Sequence, residues 1–248
     1  PFGFRFIYEK NKMTVTADVL RRAETDEKWQ IHSDQEVSGD IFCEEAKKED
    51  LAELACFAEK QLSKLAEVYT VHDIAYFEQR MQEVGCEGGS LILIRKEKEI
   101  CGYFLALKKD REAWEIVVED AVQKKAFPAV LHWFGASEEK CTFTAFPQIW
   151  EQYAQSENVP AIMGRIVHLE RFVCCLKIKK EQEWKIRLTD SLVPENNGYF
   201  IIKTGIEGGS LIRVENLSEK EKKMFCSMDI GQLTEELFRL PVFLNEVV

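Results

Sequence analysis

The order of amphipathic segments between residues 41 and 146 constrains the fold more than any other feature of this sequence. After a first strand, apolar residues recur at steps of three and four and predict a helix that begins near Glu49 and Asp50. A second helix ends at the glycine pair Gly88-Gly89. The pattern then predicts three strands, a helix and a strand, which are Ser90–Arg95, Ile100–Lys108, Trp114–Val118, 124–134 and Lys140–Phe146. This order predicts an α/β (α+β) fold with a mixed sheet and flanking helices over residues 41–150.

The segments on either side predict two further regions. Residues 4–8 and 13–20 have strand-like composition around a polar turn at 9–12, and residues 21–40 lack an apolar period and are predicted to be a linker. A second α+β domain is predicted over residues 160–248, with Asp229 as the N-cap of its last helix. Its other elements are a helix over Leu169–Leu176 and strands over Glu183–Leu192, Gly198–Thr204 and Ser210–Glu215.

Composition excludes several classes of function. The 248 residues are 46% hydrophobic, which fits one or two globular domains rather than a disordered chain. The net charge of -10 repels phosphate backbones, so we expect no nucleic-acid partner and favour cationic partners. The longest fully apolar runs are short, such as Leu91–Ile94, and stay far below the roughly 20 residues that span a bilayer, so no membrane span is expected.

The cysteines and histidines indicate an intracellular protein without a metal site. No C-x-x-C pair occurs among the eight cysteines, which we interpret as reduced thiols of the core. The four histidines are far apart in sequence, and His132 is interpreted as an ordinary helix residue. Because the chain opens at Pro1 without a charged and apolar leader, we expect a cytoplasmic location.

The element order over residues 41–146 resembles the Gcn5-related N-acetyltransferase (GNAT) fold. In that fold a Q/R-x-x-G-x-G/A loop after the central strand holds the pyrophosphate of acetyl-CoA on backbone N–H groups at a helix N-terminus. The corresponding stretch here, Val118–Lys125, contains no glycine. It also places Glu119 and Asp120 where a pyrophosphate requires positive potential. We therefore expect that this unit is degenerate and binds no acetyl-CoA.

The two ends of the chain resemble a more specific family. Phe2-Gly3-Phe4 is similar to the closing hairpin of a complete GNAT domain, and residues 1–20 are interpreted as that hairpin of a truncated first domain. Met163–Phe172 is similar to the entry of a sterol-carrier-protein-2-like domain. Together these features resemble the Eis-type (enhanced intracellular survival) acetyltransferases. The resemblance implies acetyl-CoA as the cofactor of the parent protein only, an amine-bearing small molecule or peptide as substrate, and a homo-oligomer.

Individual residues of the Met163–Phe172 segment and the other polar candidates are given structural roles. Arg165 and Glu170 are expected to pair locally, while Val167, Leu169 and Phe172 pack the last domain. The carboxylates of Asp190, Asp229 and Glu246 have no partner at diagnostic spacing and are interpreted as solvated or capping groups. The lysine runs Lys177–Lys180 and Lys220–Lys223 alternate with glutamates and are interpreted as exposed faces.

Val248 is the only candidate catalytic residue. The tail from Pro241 to Val248 is rich in apolar residues, which favours docking over fraying. In Eis-type enzymes the C-terminal carboxylate takes part in proton transfer from the substrate amine, and by resemblance that role falls on Val248. The alternative, that the tail only completes a domain core, stays open.

Three functions remain in competition at this point. The first is the scaffold and substrate-side portion of an Eis-like N-acetyltransferase. The second is a module that holds an apolar, lipid-type or sterol-type ligand between the sheet and helices of the last domain. The third is an oligomerisation scaffold without catalysis.

Overall fold

The computed structural model describes residues 2–16, 18–19, 40–66, 68–135, 140–178, 181–239 and 242–243. The chain divides into two compact units, one formed by residues 10–62 and 71–159 and the other by residues 1–9, 63–70 and 160–248. They are called the larger and the smaller unit below. The linker predicted over residues 21–40 lies almost entirely outside the described residues.

The larger unit is built on a mixed sheet with helices against it. Between residues 5 and 164 the elements in chain order are β1 (Arg5–Val15), β2 (Ile41–Glu45), α1 (Leu51–Leu65), β3 (Val68–Tyr69), α2 (Ile74–Cys86), β4 (Ser90–Lys96), β5 (Glu99–Leu107), β6 (Glu112–Val118), α3 (Gln123–Phe134), β7 (Cys141–Thr144) and β8 (Ser156–Gly164). Of these, β3 belongs to the smaller unit, and β1, α1 and β8 each belong partly to it. The strand order is β2-β4-β5-β6-β7-β1-β8, with β6 and β7 parallel. The prediction of a mixed α/β sheet with flanking helices is confirmed.

Alternating side chains explain why these strands form. Phe104 of β5 and Phe143 of β7 belong to one hydrophobic core with Phe127 and Trp150, and the Phe127 and Trp150 ring centroids are 5.0 Å apart. All four rings are buried, and burying such a side chain stabilises a fold by about 1.5–3 kcal/mol. Asp73 is the N-cap of helix α2, and its carboxylate accepts the Tyr76 N–H at 2.8 Å.

The smaller unit has its own sheet and core. After β8 it comprises α4 (Leu169–Cys175), β9 (Gln182–Thr189), β10 (Gly198–Gly205), β11 (Gly208–Val214), α5 (Glu219–Lys222), β12 (Cys226–Asp229), α6 (Ile230–Leu237) and β13 (Val242–Phe243). The four-stranded sheet has the order β11-β10-β9-β12, and Val173, Phe200 and Leu233 are among its core residues. Asp229 caps α6 through the Gln232 N–H at 2.8 Å, as predicted.

The hairpin predicted for residues 4–20 is wrong. Residues 5–15 form the single strand β1, and Lys12, placed in a turn by the sequence prediction, pairs with Thr144 of β7. The Asn11 side chain donates to the Phe146 carbonyl at 3.0 Å and accepts the Phe146 N–H at 3.1 Å. The polar residues thus continue the strand because their polar groups have partners on the neighbouring chain segment. Allocation of this strand to another domain stays a prediction.

Candidate functional site

The connection between β6 and α3 lies within the stretch that the predicted element order matches to the acetyl-CoA loop of GNAT proteins. Strand β6 ends at Val118, a 3₁₀ turn covers Asp120–Val122, and α3 begins at Gln123. The Gln123 side-chain amide donates to Asp120 at 2.9 Å and to the Val118 carbonyl at 3.3 Å. Trp150 donates its indole N–H to the Gln123 carbonyl at 2.8 Å. The hydrogen bonds of Gln123 and Trp150 therefore hold this connection in place, and Asp120 is exposed at its surface.

Strand β6 carries a bulge before this connection. The pairing of β5 with β6 shifts by one residue between Tyr103 and Leu105, and Glu115 has a φ of 55°, in the left-handed region. Before the bulge, residues 112–114 of β6 pair with β7. After the bulge, the Ile116 N–H donates to the Ala145 carbonyl at 2.8 Å. The bulge turns the Glu115 side chain into the protein, where 2% of it is exposed.

Glu115 lies in a buried network of charged and polar side chains. Its carboxylate accepts from the Tyr76 hydroxyl at 2.8 Å and from the Arg80 guanidinium at 2.7 Å. Burial raises the pKa of Glu115 above its usual value, against the opposing effect of Arg80. Arg80 also pairs with Glu83 on the next turn of α2. Because Glu115 is buried, we interpret this network as a structural link between α2 and β6 and not as a site that contacts substrate.

His72 extends the network. The His72 ring stacks on Tyr76 with centroids 4.0 Å apart and planes at 8°, and its Nδ1 is hydrogen-bonded to the Tyr103 hydroxyl at 2.7 Å. Burial, and secondarily the charge of Arg80, lowers the pKa of His72 from 6.5 to about 3. His72 is therefore neutral at physiological pH. The sequence analysis missed this network, although aromatic residues near His72 at helical spacing were visible.

Arg165 is the centre of a second network, in the smaller unit. Its guanidinium donates to both Asp190 carboxylate oxygens, at 2.7 and 2.8 Å, and to the Phe2 carbonyl. The Arg165 and Asp190 side chains are 5% and 0% exposed. The predicted Arg165–Glu170 pair is wrong, since Glu170 is exposed on α4 and Arg165 reaches Asp190 across the fold.

Of the two roles expected for Asp190, a solvated or a capping group, the solvated alternative is wrong because its side chain is 0% exposed. Its carboxylate accepts from Asn196 at 2.9 Å and from the N–H groups of Leu192 and Val193 at 2.9 and 3.1 Å. Burial alone would raise the pKa of Asp190, but the hydrogen bonds from Asn196, Leu192 and Arg165 outweigh it and lower the pKa to about 2. Asp190 is thus an ionised, buried anchor for the loop between β9 and β10.

The remaining sequence candidates do not converge on one site. Asp229 is an exposed helix cap, and Lys222 of the second lysine run pairs with Glu219 on the surface at 2.6 Å. The catalytic candidate Val248 and the carboxylate candidate Glu246 lie outside the described residues. Nothing in the described part of the chain tests the role of the C-terminal carboxylate.

Most cysteines are not core residues, which corrects the sequence interpretation. All eight are free, and only Cys101 and Cys141 are buried, while Cys43 is partly buried. Five thiols are exposed, namely Cys56, Cys86, Cys174, Cys175 and Cys226. Neighbouring apolar residues misled the prediction because an exposed helix position can lie next to a buried one. Within the described ranges, no group of three His, Cys, Asp or Glu residues could hold a metal ion.

Comparisons with known proteins identify the fold. No protein-family model matches this chain, and no curated protein matches it significantly. A conserved protein of unknown function from Enterococcus faecalis V583, described as a probable N-acyltransferase, matches with a TM-score of 0.60 at 14% identity, over 94% of this chain and 58% of that one. A GCN5-related N-acetyltransferase from Kribbella flavida matches with 0.61 at 12% identity, over 96% and 57%.

A third match supports the same fold. A GCN5-related N-acetyltransferase from Anabaena variabilis ATCC 29413 has a TM-score of 0.59 and 12% identity, over 96% of this chain and 59% of that one. The chain therefore has a GNAT-like fold and spans less than two thirds of the length of each of these structures. No helix in the described residues has the length and apolar character needed to cross a membrane.

Proposed function

We propose that this chain is the portion of a GNAT-family N-acetyltransferase that binds no acetyl-CoA itself. In this proposal another GNAT unit of the longer protein binds acetyl-CoA and transfers the acetyl group to an amine. The chain supplies the scaffold and a surface on the substrate side. The observation that carries the proposal is the glycine-free, acidic connection between β6 and α3, in a fold that matches N-acetyltransferases over little more than half their length.

Electrostatics explain why this connection disfavours the cofactor. A pyrophosphate needs several N–H donors at a helix N-terminus, and glycines let the backbone approach it. Here Glu119 and Asp120 precede the helix and would repel a phosphate at short range. Gln123, the first residue of α3, directs its side-chain amide to Asp120 and Val118 instead.

The finer assignment to Eis-type enzymes is part of the same proposal. The motif around Arg165 supports it, because the Arg165 side chain is buried and one of its nitrogens donates to both Asp190 oxygens, as expected of a residue with a fixed place in a domain. We propose a sterol-carrier-protein-2-like fold for residues 160–248, a cytoplasmic location, and proton transfer from the substrate amine to the Val248 carboxylate. One glycine added after Val248 of the longer protein should lower acetyl transfer at least tenfold with an unchanged Tm. Full activity of the extended protein would mean that the tail only packs.

A homo-oligomer is proposed from an exposed apolar face of the smaller unit. Phe4, just before β1, and Phe6 of β1 are 46% and 57% exposed, and Met163 of the adjacent strand β8 is 53% exposed. A Cβ on Gly164 would lie 2.5 Å from Ile7, so Gly164 and Ile7 share one face of these strands. Successive side chains alternate, which puts Phe6 and Met163 together on the other face. An exposed cluster of large apolar side chains favours association.

Acetyl-transfer assays test the proposed function directly. This chain alone and the product of the full gene are each incubated with acetyl-CoA and a panel of primary amines, and released CoA thiol is measured. We expect turnover by the full gene product and only background hydrolysis by the chain. Turnover by the chain alone would refute its assignment as the part without a cofactor site, and an inert full gene product would refute the enzyme assignment.

A further inference from the structure

A pocket of the smaller unit lies between the start of α4, the loop before β10, and strands β10 and β11. Its volume is about 520 Å³, within the range of small-molecule sites. Five apolar side chains line it, from Val167, Leu169, Val193, Phe200 and Leu211. Val167 is 61% exposed at this pocket, so a bound ligand would cover an apolar side chain that is otherwise in water.

Two walls of the pocket are fixed to each other by Asn196. Its buried side-chain amide donates to the Val167 carbonyl at 3.0 Å and to Asp190 at 2.9 Å, and its carbonyl oxygen accepts the Leu169 N–H at 3.3 Å. These bonds join the β9–β10 loop to the segment that begins α4. The pocket is therefore formed before any ligand arrives, which reduces the ordering cost of binding.

Arg213 is held in place at a third wall. Its guanidinium donates to the carbonyls of Asn197 at 2.9 Å and Glu195 at 2.6 Å and lies 4.7 Å from the centre of the Phe200 ring. A Cβ on Gly198 would come within 2.6 Å of Arg213 Nη1, so the glycine leaves the space that the guanidinium occupies. The position of this cation is thus set by four neighbouring residues.

The exposed Arg213 guanidinium is accessible to a ligand. Its centre lies 4.7 Å from the middle of the Phe200 ring, its two hydrogen-bond partners are neutral carbonyl groups, and Arg213 is exposed. Among the described residues it makes no ion pair. A guanidinium that is stacked on one aromatic ring can stack a second planar ring on its other face.

The charges at the pocket select against anions. Glu170 and Glu195 both line it and are exposed, while Arg213 is its only lysine or arginine. Two carboxylates against one guanidinium leave a net charge of -1 on the lining when His168 is neutral. A ligand that carries an ammonium group next to its ring therefore fits the lining better than one that carries a carboxylate.

We propose that this pocket binds a planar aromatic amine. The ring stacks on the exposed guanidinium of Arg213 beside the apolar side chains, and the ammonium group lies near Glu170 and Glu195. The inference concerns a site remote in sequence from the β6–α3 connection and stands whether or not the longer protein is an acetyltransferase.

A series of three probes with one ring system tests the proposal on the unmodified chain. Tryptamine, indole and indole-3-acetate are titrated separately while the methyl NMR signals of Val167 and Leu211 are followed. We expect tryptamine to bind about two- to fivefold more tightly than indole, and indole-3-acetate to bind most weakly. Equal affinities, tightest binding of indole-3-acetate, or no shift of these methyl signals with any probe would overturn the proposal.

Two conservative variants separate stacking from charge. Arg213→Lys keeps the charge and removes the planar surface, and should weaken both tryptamine and indole about two- to fivefold. Glu195→Gln should weaken tryptamine and leave indole unchanged. Arg239→Lys, a matched change at an exposed arginine outside the pocket lining, is the control. If Arg213→Lys weakens the affinity for the probes no more than Arg239→Lys does, Arg213 only holds its loop in place and the proposal is wrong.

Discussion

Replacement of His72 by glutamine should change how the stability of the larger unit depends on pH. His72 has a pKa of about 3 in the folded protein and 6.5 in the unfolded chain, because burial disfavours its charged form. As pH falls below 6.5, the unfolded chain takes up a proton that the folded protein does not. The free energy of unfolding therefore decreases from pH 6.5 down to the folded pKa, and this stability is complete only above pH 6.5.

The size of the effect follows from the same two pKa values. Each unit of pKa difference corresponds to about 1.36 kcal/mol, so the full loss by pH 3 is about 5 kcal/mol. Between pH 7 and pH 5 the loss is about 2 kcal/mol. Glu115, whose pKa is raised, contributes with the opposite sign below its folded pKa, because the folded protein then takes up its proton first. A comparison of parent and variant at each pH cancels that contribution.

Urea unfolding at pH 7, 6 and 5 measures this difference. The parent should lose about 2 kcal/mol more than His72→Gln between pH 7 and pH 5. Glutamine retains a polar group for the Tyr103 hydroxyl and does not titrate. His132→Gln, at an exposed position of α3, is the matched control and should behave as the parent does. Identical pH dependence of the parent and His72→Gln would refute the argument that His72 is buried and neutral.

Two further predictions concern the smaller unit. Asp190→Ala leaves Arg165 buried without its carboxylate and should lower the free energy of unfolding by about 3–5 kcal/mol, whereas Glu236→Ala, which removes an exposed pair, should cost less than about 1 kcal/mol in the same urea titration. Similar losses for both would contradict the anchor role of Asp190. Phe6→Ser should lower the mass measured by light scattering at micromolar concentration, and a parent chain that is already monomeric would contradict the proposed oligomer.

The fold was largely predictable because hydrophobic periodicity records which face of each element is buried. Apolar spacing located α1, α2 and the strands β4 to β6 within a few residues, and an aspartate followed by a helical pattern identified the cap of α6. The predicted hairpin at 4–20 failed because polar residues in the middle of a strand look like a turn. The bonds of Asn11 to Phe146, which is 135 residues away, cannot be read from local sequence.

The buried networks were not predictable for the same physical reason. Glu115 follows Trp114 in a strand and looks like an outward-facing residue, but a bulge with positive φ turns it inward to Arg80. Asp190 and Arg165 are 25 residues apart and meet only because β8 and the end of β9 come together in the fold. Sequence motifs identified Arg165 as a residue of interest, but its partner depended on tertiary structure.

Calorimetric titration of this chain with acetyl-CoA tests most directly the central claim, that the GNAT-like unit does not hold the cofactor. The connection of β6 to α3 has no glycine and is held by the Gln123 and Trp150 hydrogen bonds, and it carries Glu119 and Asp120 where the proposed GNAT correspondence would require positive potential. We predict no heat of binding at millimolar acetyl-CoA. A dissociation constant in the micromolar range would contradict the account.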